Sequence, residues 1–337
     1  MIKPNTAERV ADVSDAAGSG AGLSTSFRGG MRTLAVALGS TALSAVTAPA
    51  EGSIVRDPFT TWDPVARQNG ANYLIDGGAL QNTGGGVLSL RIVVPGFSNP
   101  RNTSATFLGN YLNPATGQVQ ALGITALHNF ADLDPFGNLT ITGRTGPNNI
   151  FAPGQILTLQ SRVVYKGASA NNMSAPDAEF IWFNEAITGG RNAVIGSATG
   201  NLAFVGFGRG LSQGTPNTTS DQNVRAVFSP YDISGAASSY AADIYNQAIC
   251  VPENSLPGLG RASSGDSGGT VFNISNGRTA GMIVAGTNGT NLNGVGIFLD
   301  FSTLSFQSEF QSVTIPSPGA LGLLGLAGIT ASFRRRR

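Results

Sequence analysis

The chain has 337 residues, enough for one large domain or two smaller ones with a substantial buried core. Only 12% of the residues are charged and the formal net charge is +1, so the charge balance indicates neither a nucleic acid nor an acidic membrane surface as partner. One cysteine and one histidine exclude an internal disulfide framework and a cysteine/histidine metal cluster, and no cofactor is predicted.

The first 50 residues are predicted to be a leader that does not belong to the mature fold. Residues 31–50 read MRTLAVALGSTALSAVTAPA, with an arginine near the start, an apolar run and a final Ala-x-Ala site. This layout is typical of a secretory signal peptide, with cleavage by signal peptidase expected before Glu51. A buried N-terminal helix is the alternative, and either Met1 or Met31 could be the start. The leader predicts export from the cytoplasm.

Residues 51–312 are predicted to form one β-rich domain. Short apolar or alternating runs are separated by glycine, asparagine and proline, a pattern typical of an all-β barrel or sandwich. Residues 303–311 are predicted to form a closing helix, and residues 236–249 fit either a helix or a strand. The predicted strands lie within residues 86–94, 138–144, 155–165, 193–207, 279–286 and 294–301.

Two motifs in this domain contain candidate catalytic residues. The sole histidine, His128, stands in ITALHNF, and Ser267 stands in GDSGG. A serine hydroxyl becomes a nucleophile only if a base takes its proton. No histidine follows Ser267, which excludes the α/β-hydrolase order of nucleophile, acid and histidine. The remaining order places the histidine before the serine.

The two motifs resemble those of the chymotrypsin/trypsin family of serine peptidases. TALHN is similar to that family's T-A-A-H-C, with Leu127 and Asn129 in place of alanine and cysteine, and GDSGG matches its nucleophile motif residue for residue. The missing cysteine is consistent with a disulfide-free bacterial branch. The resemblance covers about residues 100–311 and implies an all-β fold of two six-stranded antiparallel β-barrels with a short C-terminal helix.

This resemblance implies a catalytic triad. Ser267 is expected to attack the peptide carbonyl, while His128 accepts the proton and later returns it to the leaving amine. The family places an aspartate between the two in the chain, and Asp177 in SAPDAEFIWF is the candidate, in a looser version of the family pattern. Asp132 and Asp134 lie too close to His128 in sequence to orient its ring comfortably.

The resemblance also assigns roles to the neighbours of the serine. The backbone N–H groups of Gly265 and Ser267 are expected to form the oxyanion hole. Asp266 is expected to have a structural role, because in the family it pairs with a new N-terminal amine made by zymogen cleavage. SIVRD offers Ile54 as that new terminus, although Arg56 stands where the family has glycine.

Three further residues are predicted to lie at a specificity pocket. Arg261 stands where the family has the base of the pocket, and a cation there would favour aspartate or glutamate in the substrate. Its side chain could instead turn away to a carboxylate or to solvent. Gly286 and Gly294 lie in two predicted strands, GMIVAG and NGVGIF, that resemble the pocket walls. FVGFGRG, residues 204–210, resembles the start of the second barrel.

Residues 313–337 are predicted to be a sorting or anchor segment. Pro316-Ser317-Pro318 precedes an apolar run over residues 319–333, and four arginines follow. The run is short for a stable membrane span, which needs ~20 residues. The order resembles the PEP-CTERM tails of Gram-negative bacteria, which implies processing by an exosortase and a transient or C-terminal membrane contact. The implied location is the cell surface, outer envelope or extracellular matrix, and a plain C-terminal anchor is the alternative.

Together these features predict a secreted or surface-sorted serine endopeptidase that acts on a protein or peptide substrate through an acyl-enzyme. Two alternatives stay open. One is a trypsin-like fold without turnover that serves as a secreted binding or adhesion module. The other is a β-rich structural surface protein unrelated to peptidases, which predicts no special reactivity at Ser267.

Overall fold

The computed structural model of the protein describes residues 71–75, 84–133, 138–148, 152–170, 172–208, 211–212, 215–216, 223–229, 243–249, 265–286 and 295–315. The predicted leader, residues 1–50, and the tail beyond residue 315 therefore lie outside the described residues. The helices in these ranges are α1 (His128–Ala131) and α2 (Leu304–Thr314). Neither is long and apolar enough to cross a membrane.

The same ranges contain fourteen strands. They are β1 (Gly86–Val93), β2 (Arg101–Leu112), β3 (Val119–Thr125), β4 (Thr140–Arg144), β5 (Ile156–Val164), β6 (Glu179–Phe183), β7 (Leu202–Gly206), β8 (Leu211–Ser212), β9 (Thr215–Pro216), β10 (Arg225–Ser229), β11 (Tyr245–Ile249), β12 (Thr270–Asn273), β13 (Arg278–Gly286) and β14 (Val295–Asp300).

The first six strands form a closed antiparallel barrel in the order β1-β2-β3-β6-β5-β4. It closes where β4 pairs back with β1, with Leu90 opposite Gly143. Closure leaves no unpaired strand edge. Apolar side chains from all six strands form one buried cluster that includes Leu88, Phe107 and Phe183. A six-stranded antiparallel barrel is therefore confirmed for the first half of the domain.

The second half contains a six-stranded antiparallel sheet in the order β10-β7-β12-β13-β14-β11. If the strands of each half are counted one to six, leaving aside the short β8–β9 ribbon, this sheet repeats five of the six pairings of the first barrel. The remaining pairing would join β10 to β11, and the connection between them, residues 230–242, lies outside the described residues. The second half is thus described as a sheet with the strand order of the barrel.

A shared apolar cluster joins the two halves, and the alternation of strand residues produces it. Successive side chains of a strand point to opposite faces. On β6, Ile181 and Phe183 belong to the core of the first barrel, whereas Phe180 and Trp182 pack in a second cluster with residues of β13, β14 and α2. The face of β6 that turns away from the barrel core therefore packs against the second half.

Helix α2 closes this cluster. Thr303 caps its first turn, where the side-chain oxygen accepts a hydrogen bond from the N–H of Phe306 at 3.3 Å. The ring of Phe306 is fully buried and stacks on that of Phe301, with centroids 4.0 Å apart. The predicted closing helix is confirmed, and it extends three residues beyond the predicted end.

The structure corrects one local prediction and decides another. Within the predicted strand over residues 193–207, only Leu202–Gly206 is a strand. The residues before it cross between the halves, since Ala193 N–H donates to the carbonyl of Leu108 and Gly196 N–H to that of Thr279. The strand prediction is therefore wrong for residues 193–201. In the ambiguous stretch, Tyr245–Ile249 forms a strand.

Candidate active site

His128 is the first residue of α1, which follows β3 after two residues. Its ring Nδ1 lies 2.5 Å from Oδ2 of Asp177, and its backbone N–H donates to Oδ1 of the same carboxylate at 2.9 Å. Asp177 lies between β5 and β6, and its side chain is only 11% exposed, whereas that of His128 is 37% exposed. One carboxylate thus fixes both the backbone and the ring of the histidine. It leaves Nε2 as the ring nitrogen that can exchange a proton.

Asp177 is itself held by the second half of the domain. Its backbone N–H donates to the hydroxyl oxygen of Tyr245 at 2.6 Å, and that hydroxyl donates to the carbonyl of Ala175 at 2.7 Å. Tyr245 belongs to β11 and is 1% exposed. A single buried hydroxyl from the second sheet therefore fixes the backbone that carries the aspartate.

Helix α1 rests on a partly buried ion pair. The guanidinium of Arg162 on β5 binds Oε2 of Glu179 on β6 at 2.8 and 2.9 Å, and it lies over the ring of Phe130 on α1, 4.2 Å from the centroid. Glu179 is fully buried. A cation over an aromatic face is attracted to it. The glutamate that makes DAEFI a loose version of the family pattern is therefore one partner of this pair.

The far end of α1 is held at the surface. Arg101 on β2 donates two hydrogen bonds to the carboxylate of Asp132, at 2.6 and 2.7 Å, and a third to the carbonyl of Asn129 at 3.2 Å. The hydrogen bond from Arg101 is the main cause that lowers the pKa of Asp132 below its usual range. Asp132 therefore binds an arginine, and the His128 ring binds Asp177.

Ser267 lies in the tight turn that precedes β12. Its side chain is partly exposed, and Oγ donates to the carbonyl of Val284 at 3.3 Å. The next residue, Gly268, has a φ of +91°, and a Cβ there would lie 2.0 Å from the carbonyl oxygen of Ser104. Only glycine fits, because β2 of the first barrel lies directly against this turn.

Buried hydroxyls of β2 bind three carbonyls of this turn. Thr103 donates to Ser267, Ser104 to Gly265 and Thr106 to Gly268, at 3.0, 2.8 and 3.0 Å. The two predicted oxyanion donors, the N–H groups of Gly265 and Ser267, have no acceptor within the described chain. Free backbone donors beside a nucleophile are what stabilisation of an oxyanion requires.

Asn129 connects this turn to the histidine. Its Nδ2 donates to the carbonyl of Ser267 and to Oγ1 of Thr125, each at 3.0 Å, and the residue is buried. Because Asn129 directly follows His128, the histidine and the serine lie at one junction between the halves. These two described side chains are not joined by a hydrogen bond. Ser267 Oγ donates to the carbonyl of Val284, and the His128 ring binds Asp177.

Asp266 is fully buried beside the glycines of FVGFG. Its Oδ1 accepts a hydrogen bond from the N–H of Gly208 at 2.7 Å, and a Cβ on Gly206 or Gly208 would lie 2.4 Å from the carboxylate. Arg225, also buried, donates to the carbonyl of Gly208 at 3.2 Å. The glycines therefore make room for the carboxylate, while Ile54, the predicted new terminus, lies outside the described residues.

The predicted specificity pocket is described only in part. Gly286 ends β13 opposite Gly296 of β14, whereas Arg261 and Gly294 lie outside the described residues. Within the described ranges, no group of three or more histidine, cysteine or acidic side chains could hold a metal ion. The pocket base and its charge therefore stay predictions.

Sequence reasoning missed the residues that support the site. Asn129 is a departure from T-A-A-H-C, which by itself indicates only a missing cysteine. Within NTSAT, Thr103, Ser104 and Thr106 are buried polar residues that a core strand does not need. Tyr245 offered no local signal.

No family model and no curated protein matches the chain. Among solved structures, it is similar to the crystal structure of the protease Anisep from Arthrobacter nicotinovorans, at 14% sequence identity and a TM-score of 0.47. The match covers 68% of this chain and 94% of that chain.

Proposed function

We propose that the protein is a serine endopeptidase in which Ser267 is the nucleophile, His128 the general base and Asp177 the residue that orients the base. One observation carries this proposal. The carboxylate of Asp177 holds His128 by ring and backbone, while Asn129, the next residue, binds the carbonyl of Ser267. These contacts connect segments far apart in the chain, and the three residues follow the chain order of the family that the motifs resemble.

In the first step, Ser267 Oγ attacks the carbonyl carbon of the substrate and its proton passes to Nε2 of His128. The hydroxyl must turn from the carbonyl of Val284 toward the imidazole. Catalytic hydrogen bonds are often long or misaligned without substrate and tighten when it binds. Asp177 keeps the ring in the tautomer that exposes Nε2 and stabilises the imidazolium.

The oxyanion then forms beside the N–H groups of Gly265 and Ser267. Each such donor is worth about 3 kcal/mol of transition-state stabilisation. The C–N bond breaks as His128 returns the proton to the leaving amine, which leaves an acyl group on Ser267. Water, deprotonated by His128, attacks this ester, and the proton returns to Ser267 as the carboxylic acid leaves.

A fluorophosphonate probe tests this assignment, because it phosphonylates only an activated serine. We expect the purified protein to be labelled, with the label on Ser267 by peptide mapping, and Ser267→Ala to be unlabelled. Hydrolysis of a fluorescent denatured protein should be lost in the same variant. Equal, weak labelling of both proteins would contradict the proposal.

The second candidate function is a binding or adhesion module without turnover. It is favoured by the hydrogen bond of Ser267 Oγ to the carbonyl of Val284, which leaves the serine and histidine unjoined. This candidate predicts a folded protein that neither reacts with the probe nor cleaves protein. The labelling experiment therefore separates the two.

We also propose export, on the evidence of the two chain ends. Signal peptidase would cut before Glu51, and an exosortase would process the tail after Pro316-Ser317-Pro318. N-terminal sequencing and intact-mass measurement of the secreted protein test both cuts. A mature form that retains residues 31–50 would overturn the leader, and one that retains all four terminal arginines would overturn tail processing.

A further inference from the structure

We propose that Asn129 is a positioning residue for the nucleophile, which ties the geometry of Ser267 to the helix that begins at His128. This inference rests on the proposed function. It assigns a role to a residue that stands where the resembling family has cysteine. The geometry of one peptide unit, the one after the serine, leads to it.

The peptide unit between Ser267 and Gly268 is held from both sides. Its carbonyl accepts hydrogen bonds from Asn129 Nδ2 and Thr103 Oγ1, each at 3.0 Å. Its N–H, on Gly268, donates to the carbonyl of Ile283 on β13 at 2.7 Å. The orientation of this plane fixes the ψ angle of Ser267. It thereby fixes the position of Cα and Cβ, from which Oγ projects. Side chains of the first barrel fix one edge of the plane, and the backbone of the second sheet fixes the other.

An amide is the group that this position requires. Thr125 Oγ1 gives its own proton to the carbonyl of Ser104 at 2.8 Å, so it can only accept from Asn129. The carbonyl of Ser267 is likewise an acceptor. Both partners therefore need donors, and the NH₂ group of asparagine supplies two protons from one atom. A carboxylate of the same shape would direct oxygen at both.

This arrangement also sets the distance between base and nucleophile. His128 and Asn129 are consecutive in α1, and the backbone of His128 is bound to Asp177. Movement of the Ser267 turn relative to the histidine must therefore break the hydrogen bond from Asn129 to the carbonyl of Ser267. Displacement of a reacting group by about 1 Å can cost about a hundredfold in rate.

The test compares Asn129→Ala with Asn113→Ala. Asn113 is also buried, and its Nδ2 donates to Oε1 of Gln120 and Gln160. It lies at the other end of β2, roughly 30 Å along the strand from Thr103. Both variants lose a buried amide in the same barrel. Only Asn129 contacts the nucleophile turn, the segment of residues 265–268 that contains Ser267. The measurement is the fluorophosphonate labelling rate per folded molecule, with thermal unfolding followed in parallel.

We expect Asn129→Ala to label about ten- to a hundredfold more slowly than the parent. Asn113→Ala should label at the parent rate even if it unfolds at a lower temperature. With a fluorescent denatured protein as substrate, the loss for Asn129→Ala should fall on kcat and leave KM within about twofold. Parent-like labelling of folded Asn129→Ala would overturn the inference.

Thr103→Val provides a second variant, since it keeps the shape of the side chain and removes the other donor to the same carbonyl. We expect a smaller loss, of about three- to tenfold, because Asn129 remains. If Asn129→Ala does not fold, parent-like labelling of Thr103→Val would refute the role of these bonds. If the parent protein does not label at all, the proposed function fails, which is a different outcome.

Discussion

The two halves of the domain have the same strand order but hold the active-site junction by different means. Counted within each half, His128 lies between the third and fourth strands of the first barrel, and Ser267 lies between the third and fourth strands of the second sheet. Equivalent loops of the two halves therefore carry the proposed base and the proposed nucleophile. The proposed site therefore needs both halves, because neither half alone carries both residues.

The difference lies in the groups that each half contributes. The first barrel holds the nucleophile turn with side chains, namely the buried hydroxyls of β2 and the amide of Asn129. The second sheet holds it with backbone, through the carbonyls of Ile283 and Val284. Substitutions in the first barrel should therefore disturb the nucleophile turn more than substitutions in the second sheet, because a substitution removes a side chain but leaves the backbone. Tyr245 is the exception, because it is a side chain of the second half that binds Asp177 and Ala175 of the first half.

The largest effect is expected for Asp177→Asn. Asparagine keeps the shape of the side chain, but its single oxygen cannot accept from both the backbone N–H and the ring N–H of His128. Its NH₂ group, facing Nδ1, favours the wrong tautomer of the ring. We expect kcat to fall by about 10⁴-fold, as is typical for loss of the orienting carboxylate. Turnover of a fluorescent denatured protein measures it, with circular dichroism to show an intact fold. A fall in kcat of less than about tenfold would mean that Asp177 does not orient the ring of His128 for catalysis.

A smaller effect is expected for Tyr245→Phe, which tests the exception. The ring stays, but the N–H of Asp177 and the carbonyl of Ala175 lose their partner. We expect the free energy of unfolding to fall by about 2 kcal/mol. We also expect kcat to fall by about tenfold, because the backbone that carries Asp177 loosens.

Tyr165→Phe is the matched control for this change. Tyr165 is also buried, and its hydroxyl binds Oγ of Ser305, a residue of α2, at 3.0 Å. Chemical denaturation and turnover are measured for both variants. The prediction fails if both tyrosine variants lose the same share of kcat, since the effect would then be one of general packing.

The smallest effect is expected for Arg101→Gln, a change within the first half at the surface. The ion pair with Asp132 is exposed, so we expect a loss of about 0.5 kcal/mol at neutral pH. Because Arg101 lowers the pKa of Asp132 in the folded protein, its contribution is present above the ordinary carboxyl value of 3.8 and is lost as pH falls below it.

Denaturation of the parent and Arg101→Gln at several pH values checks this sign. The stability difference should shrink as the pH falls below about 4. A difference that is unchanged at low pH would show that the hydrogen bond from Arg101 to the carbonyl of Asn129 stabilises α1, and not the ion pair.

Three of the six barrel strands, β1, β4 and β5, lie in ranges that the local sequence pattern predicts. Alternation on β6 sends Ile181 and Phe183 to one face and Phe180 and Trp182 to the other, and this depends only on the two-residue period of a strand. The prediction failed over residues 193–201, where an apolar stretch crosses between the halves and its N–H groups bind distant carbonyls. Apolar content is local information, but the partner of a backbone group is not.

The amino-acid sequence shows that the only histidine precedes the GDSGG serine, that a carboxylate stands between them, and that short alternating runs favour an all-β fold. Only the folded chain shows that Asn129 and Thr103 bind the carbonyl of Ser267, across 138 and 164 positions of chain, and that Tyr245 holds Asp177. The reason is physical. A side chain's type and face follow from its neighbours in sequence, whereas its hydrogen-bond partner depends on strand register and on how two sheets pack, to within a few tenths of an ångström.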